Sequence, residues 1–200
     1  MKKNIVYFLV FITSISYGQS AEEYYNRGNA KDELKDYKGA IAEFSKVINL
    51  EPKNEGAYFN RGNSKRNLED YRGAIADYTK AIELIPDNSA AYINRGISKN
   101  GLEDYRGAVA DFTKAIEINP NSSNAYFQRG LSKDSLKDYK GEIADYSRAI
   151  ELNPNNSDAY FNRGYAKASL DDKNGACLDW SKAGELGDGD AYDLIKKNCN

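Results

Sequence analysis

Gly28, Gly62, Gly96, Gly130 and Gly164 stand 34 residues apart, and this period constrains the fold more than any other feature of the chain. A Tyr precedes each Gly by four residues: Tyr24, Tyr58, Tyr92, Tyr126 and Tyr160. A Leu follows each by six: Leu34, Leu68, Leu102, Leu136 and Leu170. Pro52, Pro86, Pro120 and Pro154 close the first four units. A lone Gly or Tyr carries no information. Register held at about a dozen positions through five copies means that one supersecondary unit is stacked on itself. The units are 21–54, 55–88, 89–122, 123–156 and 157–190, with 191–200 left over.

The third unit shows what each copy builds. Tyr92, Arg95, Gly96 and Lys99 recur at helical spacing, which predicts a helix from about Ala90 to Leu102 with Lys99 at the surface. Asp104 is placed to cap a second helix. Ala108, Phe112, Ala115 and Ile116 fall on one face of that helix. Asn119-Pro120 ends it, because proline disfavours the helical conformation in the residue before it. The small Gly96 and Ala108 permit close approach of the two helices, and Tyr92 and Phe112 fill the space beside them. One such hairpin cannot bury its apolar face alone, whereas a stack of them can.

This pattern resembles the tetratricopeptide repeat family. The likeness runs from residue 21 to about 186. It consists of the Tyr and Gly of the first helix, the Ala-x3-aromatic-x2-Ala of the second (Ala74, Tyr78, Ala81) and the closing Pro. It implies an all-α, right-handed α-solenoid of five helical hairpins, whose first helices line a concave surface. Binding another protein is the usual function of that family. Three departures stand out. Arg27, Arg61, Arg95, Arg129 and Arg163 replace the usual apolar residue before the Gly, Glu142 replaces an Ala, and the fifth unit ends in Gly184, Gly187 and Gly189 without a Pro. Each of those Arg residues has an acid sixteen residues later: Glu43, Asp77, Asp111, Asp145 and Asp179. A matched acid in every unit would neutralise a basic strip, so the expectation is an ion-pair ladder inside the units.

Residues 1–18 read as a leader. Lys2 and Lys3 give a basic start, Ile5 to Ile12 an apolar stretch, and Ser16-Tyr17-Gly18 the small-x-small pattern of a signal peptidase site. Cleavage is expected between Gly18 and Gln19. The apolar stretch is short of the ~20 residues of a membrane span. The layout resembles Gram-negative bacterial signal peptides, which implies a periplasmic or secreted protein without membrane insertion after cleavage. Removing Lys2 and Lys3 from the 28 basic residues leaves 26 against 30 acidic, a charge of −4. A mildly acidic chain of interspersed sign argues against nucleic acid as its partner.

At the other end, Asp188 or Asp190 is placed to cap a short helix from about Ala191 to Asn198, with Leu194 and Ile195 covering the open face of the last hairpin. Stacked arrays need such a cap. Cys177 and Cys199 lie eleven residues either side of Asp188. An antiparallel pair of helices turning there would bring the two thiols to one height, for a disulfide in an oxidising compartment. The alternative is two buried reduced thiols.

Chemistry is sparse. There is no His, which removes the commonest general base and metal ligand. No Gly-rich phosphate loop, His-based triad or metal-ligand cluster is present. Asp188, Asp190 and Asp193 lack the later Glu of a calcium loop, and Asp171-Asp172 fall at a turn as helix-capping acids. No enzyme activity, cofactor or metal is expected.

The expected site is therefore a surface. Two residues before each repeat Gly stand Asn26, Asn60, Asn94, Gln128 and Asn162, off the Tyr–Gly core face. An amide donates and accepts at once, so such a row suits a peptide backbone. It resembles the asparagine ladder on the inner surface of some tetratricopeptide proteins. Beside it run Tyr25, Phe59, Ile93, Phe127 and Phe161, each paired four residues on with Asn29, Asn63, Ile97, Leu131 and Tyr165. The strip is polar in units one and two and apolar in units three to five. The clamp that some family members use for a terminal carboxylate wants a Lys where Tyr25 stands, so that ligand is not expected. An extended peptide or protein partner in the groove is the first reading. A structural subunit of an envelope assembly, joined through its edges or convex face, is the second.

Overall fold

The structure, a computed structural model, describes residues 20–199; the leader expected at 1–18 lies outside them. Among the described residues all regular structure is helical. The first hairpin pairs α1 (Ala21–Glu33) with α2 (Tyr37–Leu50), and the second pairs α3 (Glu55–Asn67) with α4 (Tyr71–Leu84). Then come α5 (Ser89–Asn100) with α6 (Tyr105–Ile118), α7 (Ser123–Ser135) with α8 (Tyr139–Leu152), and α9 (Ser157–Ser169) with α10 (Lys173–Glu185). A last helix, α11 (Gly189–Asn198), packs on α10.

Each turn inside a hairpin is built at the same positions of the repeat. The first helix stops at a Leu or Gly cap. The chain then places Lys35, Glu69, Glu103, Lys137 or Asp171 in the left-handed region, with φ of 59 to 63°. The following Asp caps the second helix: the carboxylates of Asp36, Asp70, Asp104, Asp138 and Asp172 accept from the backbone N–H of Gly39, Gly73, Gly107, Gly141 and Gly175. A Cβ at Gly107 would collide with the capping carboxylate of Asp104, which explains why the Asp-x-x-Gly recurs. This turn also ends α5 earlier than the spacing predicts, at Asn100 instead of Leu102.

The hairpin core forms where first-helix glycines meet second-helix rings. A Cβ on Gly96 would stand 2.7 Å from Cε1 of Phe112, and Gly62 and Gly130 face Tyr78 and Tyr146 in the same way. Ala108, Phe112 and Ala115 are buried beside them. Successive first helices touch (α1 with α3, α3 with α5, α5 with α7), with no comparable approach between second helices. The first helices are thus the crowded inner layer of the stack, and the second helices splay on the outside.

At the C-terminal end, Leu194, Ile195 and Cys199 pack against Ala176, Trp180, Ala183 and Ala191. Asp188 caps α11 by accepting from the N–H of Asp190 and Ala191. Cys177 and Cys199 are joined by a disulfide, their Cα atoms 5.8 Å apart.

Candidate partner-binding face

The arginine ladder fixes how the first helices present their inner side. Arg61, Arg95, Arg129 and Arg163 grip Asp77, Asp111, Asp145 and Asp179 with two parallel bonds each, Nε at 2.9 Å and Nη2 at 2.6–2.7 Å. Such fork-to-carboxylate pairs are geometrically specific. A second cation completes each site: Lys65, Lys99, Lys133 and Lys167 reach the same carboxylates at 2.7–2.8 Å. Lys99 is therefore not the unengaged surface residue that its spacing suggested; its side chain is only 20% exposed. In the first hairpin, burial pushes the Glu43 carboxyl up, but hydrogen bonds from Lys46 and Arg27 outweigh it and hold the group below its usual range. Arg61, Arg95, Arg129 and Arg163 also donate through Nη1 to Ser45, Thr79, Thr113 and Ser147 of the preceding hairpin. The ladder so joins neighbouring units as well as the two helices of one unit, which the sixteen-residue spacing alone did not reveal.

The row of amides divides into two kinds. Asn60 donates through Nδ2 to the Tyr25 hydroxyl at 3.0 Å and to Asn29 Oδ1 at 3.1 Å. Asn94 donates to Asn63 Oδ1 at 3.0 Å and accepts from Arg66 at 3.1 Å, while the Tyr78 hydroxyl donates to the same Asn63 oxygen. These two amides tie their helix to the one before. Asn26 is exposed and Asn162 donates only to the carbonyl of Asp158, one turn back. Gln128 is half-buried on the same row.

The neighbouring strip is half-buried along its length. Phe59 and Phe127 lean on the buried Tyr78 and Tyr146 of their own hairpins, with ring centroids 5.9 and 5.8 Å apart. Phe161 stacks on Tyr165, which in turn meets Trp180. Ile93, Ile97 and Leu131 are half-buried, and Tyr165 is 46% exposed. Each of these residues thus has one side on the hairpin and one side open.

Comparison with known proteins fits this geometry. Models described as "tetratricopeptide repeat" match residues 56–88 and 89–122, and one described as "TPR repeat" matches 28–68 and 135–171. The chain belongs to the tetratricopeptide repeat family. No curated protein sequence matches it. Among solved structures, MamA is similar at 25% identity and a TM-score of 0.78, over 82% of this chain and 96% of that one. MamA from Desulfovibrio magneticus RS-1 gives 21% and 0.80, over 84% and 96%. YrrB, described as a TPR protein with an unusual peptide-binding site, gives 24% and 0.76, over 89% and 92%.

Two further features of this tetratricopeptide solenoid are a recess and a buried acid. A recess of about 170 Å³ opens between the first two hairpins, lined by Asn29, Asp32, Glu33, Phe44, Asn60 and Asn63. In the fourth hairpin, Glu142 takes the place of the buried Ala40, Ala74, Ala108 and Ala176 of the others. It is 2% exposed, and its Oε2 has no hydrogen-bond partner among the described residues. Burial, and then the charges of Asp134 and Asp138, push its pKa up to about 8. No group of three His, Cys, Asp or Glu among the described residues is placed to hold a metal, and no helix there is long and apolar enough to cross a membrane.

Proposed function

We propose that the protein is a non-catalytic interaction module that holds an extended peptide, or an extended segment of a partner protein, along the inner face of its first helices. The observation that carries this reading is the side-by-side run of amides and half-open apolar side chains on that face. Asn26, Gln128 and Asn162 supply backbone-pairing groups, while Asn60 and Asn94 hold the face in shape. Phe59, Ile93, Ile97, Phe127, Leu131, Phe161 and Tyr165 supply apolar contact, concentrated in hairpins three to five. Membership of a family of interaction modules supports the reading, and YrrB shows that this fold serves peptide binding elsewhere. The leader and the Cys177–Cys199 bond favour an exported protein, periplasmic or secreted; a mature N-terminus at Gln19 by mass spectrometry is the expected result.

Changing Asn26, Gln128 and Asn162 together to Ala tests the groove. Each lost amide–backbone bond costs about 0.5–1.5 kcal/mol, so partner affinity should fall more than tenfold with helical content unchanged. Unchanged affinity would favour the second reading, an envelope-assembly subunit that docks by its edges. That reading has one observation behind it: Leu178 and Tyr192, at the C-terminal end, are 73% and 61% exposed.

A further inference from the structure

Charge is distributed unevenly between the two layers of the solenoid. On the first helices, the basic residues of the ladder are consumed: Arg61, Arg95, Arg129 and Arg163, with Lys65, Lys99, Lys133 and Lys167, all lie on second-helix carboxylates. Carboxylates on the inner side of those helices are not matched. Asp32 and Glu33 line the recess between the first two hairpins. Glu22 stands three residues before Tyr25, Asp134 three after Leu131, and Asp158 three before Phe161, so each shares a helix face with the apolar strip. None of these five acids has an ion-pair partner among the described residues. Arg66, which stands where Asp32 does one period earlier, is engaged with Asn94. Exposed basic residues include Lys38, Arg72, Arg106 and Lys140 in the first turns of second helices, on the outer layer, and Lys35 and Lys137 in the turns between the layers.

Glu142, on α8, feels the charge of Asp134 from within the hairpin. It is a buried, unpartnered carboxyl whose proton is held partly by the charge of Asp134, an inner-face acid with no cation of its own. Every other buried carboxylate of the second helices has one or two cations within 3 Å. Asp134 is exposed and has no ion-pair partner among the described residues, so its charge is open to a cation brought by a partner.

From this placement we infer that the groove's partner is a basic extended peptide, with lysine or arginine side chains over Asp32, Glu33 and Asp134 and apolar side chains interleaved over Ile93, Ile97, Leu131 and Tyr165. The inference rests on the groove reading above and gives it a chemistry. Backbone contacts to the amides hold the chain without reading its sequence, and the carboxylates select its charge. Opposed charges across an interface act mainly on association rate and on rejection of wrong partners.

The test uses fluorescent twelve-residue peptides with blocked ends, one with Lys at both ends and Leu interleaved between them, a second with Glu in place of Lys. Anisotropy titration at low salt should show the Lys peptide binding at least tenfold tighter than the Glu peptide. The gap should shrink as salt is raised, and it should close in the Asp32→Asn, Glu33→Gln, Asp134→Asn variant. Equal affinity for both peptides, with both weakened by the Asn26, Gln128, Asn162 triple change, would overturn the charge inference and leave the groove reading standing. Binding that ignores the amide triple, or no binding of either peptide, would overturn both. Salt-sensitive self-association that excludes the Lys peptide would also overturn it, by making a second copy the occupant.

Discussion

At Gly96 two effects of opposite sign meet. Alanine is favoured over glycine in a helix by about 1 kcal/mol. The added methyl, however, would stand 2.7 Å from the fully buried ring of Phe112, and overpacking a filled core costs about 1–3 kcal/mol. Sterics wins because the neighbour is a ring wedged between two helices and not the free end of a side chain. Gly96→Ala should therefore lower the melting temperature, while Arg106→Ala, an exposed outer-layer change, should cost less than about 0.5 kcal/mol. Equal melting temperatures for the two would refute the register. Glu142 gives the second test at this scale. Its folded-state pKa, about 8, lies above the ordinary carboxylate value. Between the two the folded state holds the proton more tightly than the unfolded state, so stability should fall as pH rises from about 5 to 8 and level off above. Glu142→Gln keeps the shape and removes the titration. Its melting temperature should stay flatter over that window and exceed the parent's at pH 9; identical pH profiles would show that Glu142 is not buried as described.

Among elements, what was readable in the sequence was what is local. The Asp caps, the Gly–aromatic contacts, the Arg-to-acid spacing and the C-terminal helix all depend on residues within one hairpin, whose geometry is set by helical period and one turn. What was not readable depends on how hairpins sit on each other. Asn60 and Asn94 spend hydrogen bonds on the preceding hairpin, and Arg61, Arg95, Arg129 and Arg163 reach back to its hydroxyls. No spacing rule within a unit reports such contacts. Lys99 is an exception inside one hairpin: Asp111, whose spacing pairs it with Arg95, has two oxygens and takes both cations. The cap helix carries its own prediction. In the chain-entropy account, a disulfide closing 22 residues stabilises this end by about 3 kcal/mol. Reduction should speed amide hydrogen exchange in α11 and the end of α10 and leave α5 and α6 unchanged. Two free thiols in unreduced, denatured protein would contradict the bond.

For the molecule as a whole, each hairpin touches only its neighbours, so the stack behaves as a sum of units and interfaces. Two layers result. In the inner one the first helices crowd together and carry the amides, the open sides of the apolar strip and the unmatched acids. In the outer one the second helices splay and carry Lys38, Arg72, Arg106 and Lys140. The sequence showed the composition of both layers but not which groups remain open, since that depends on the bonds formed between hairpins.

We place the partner on the inner layer. Placing a photo-crosslinking phenylalanine analogue at Leu131, on the inner strip, and in a second protein at Ala110, exposed on the outer side of α6, tests it most directly. Partner adducts are expected from position 131 and none from position 110; adducts from position 110 with none from position 131 would put the partner on the outer layer instead.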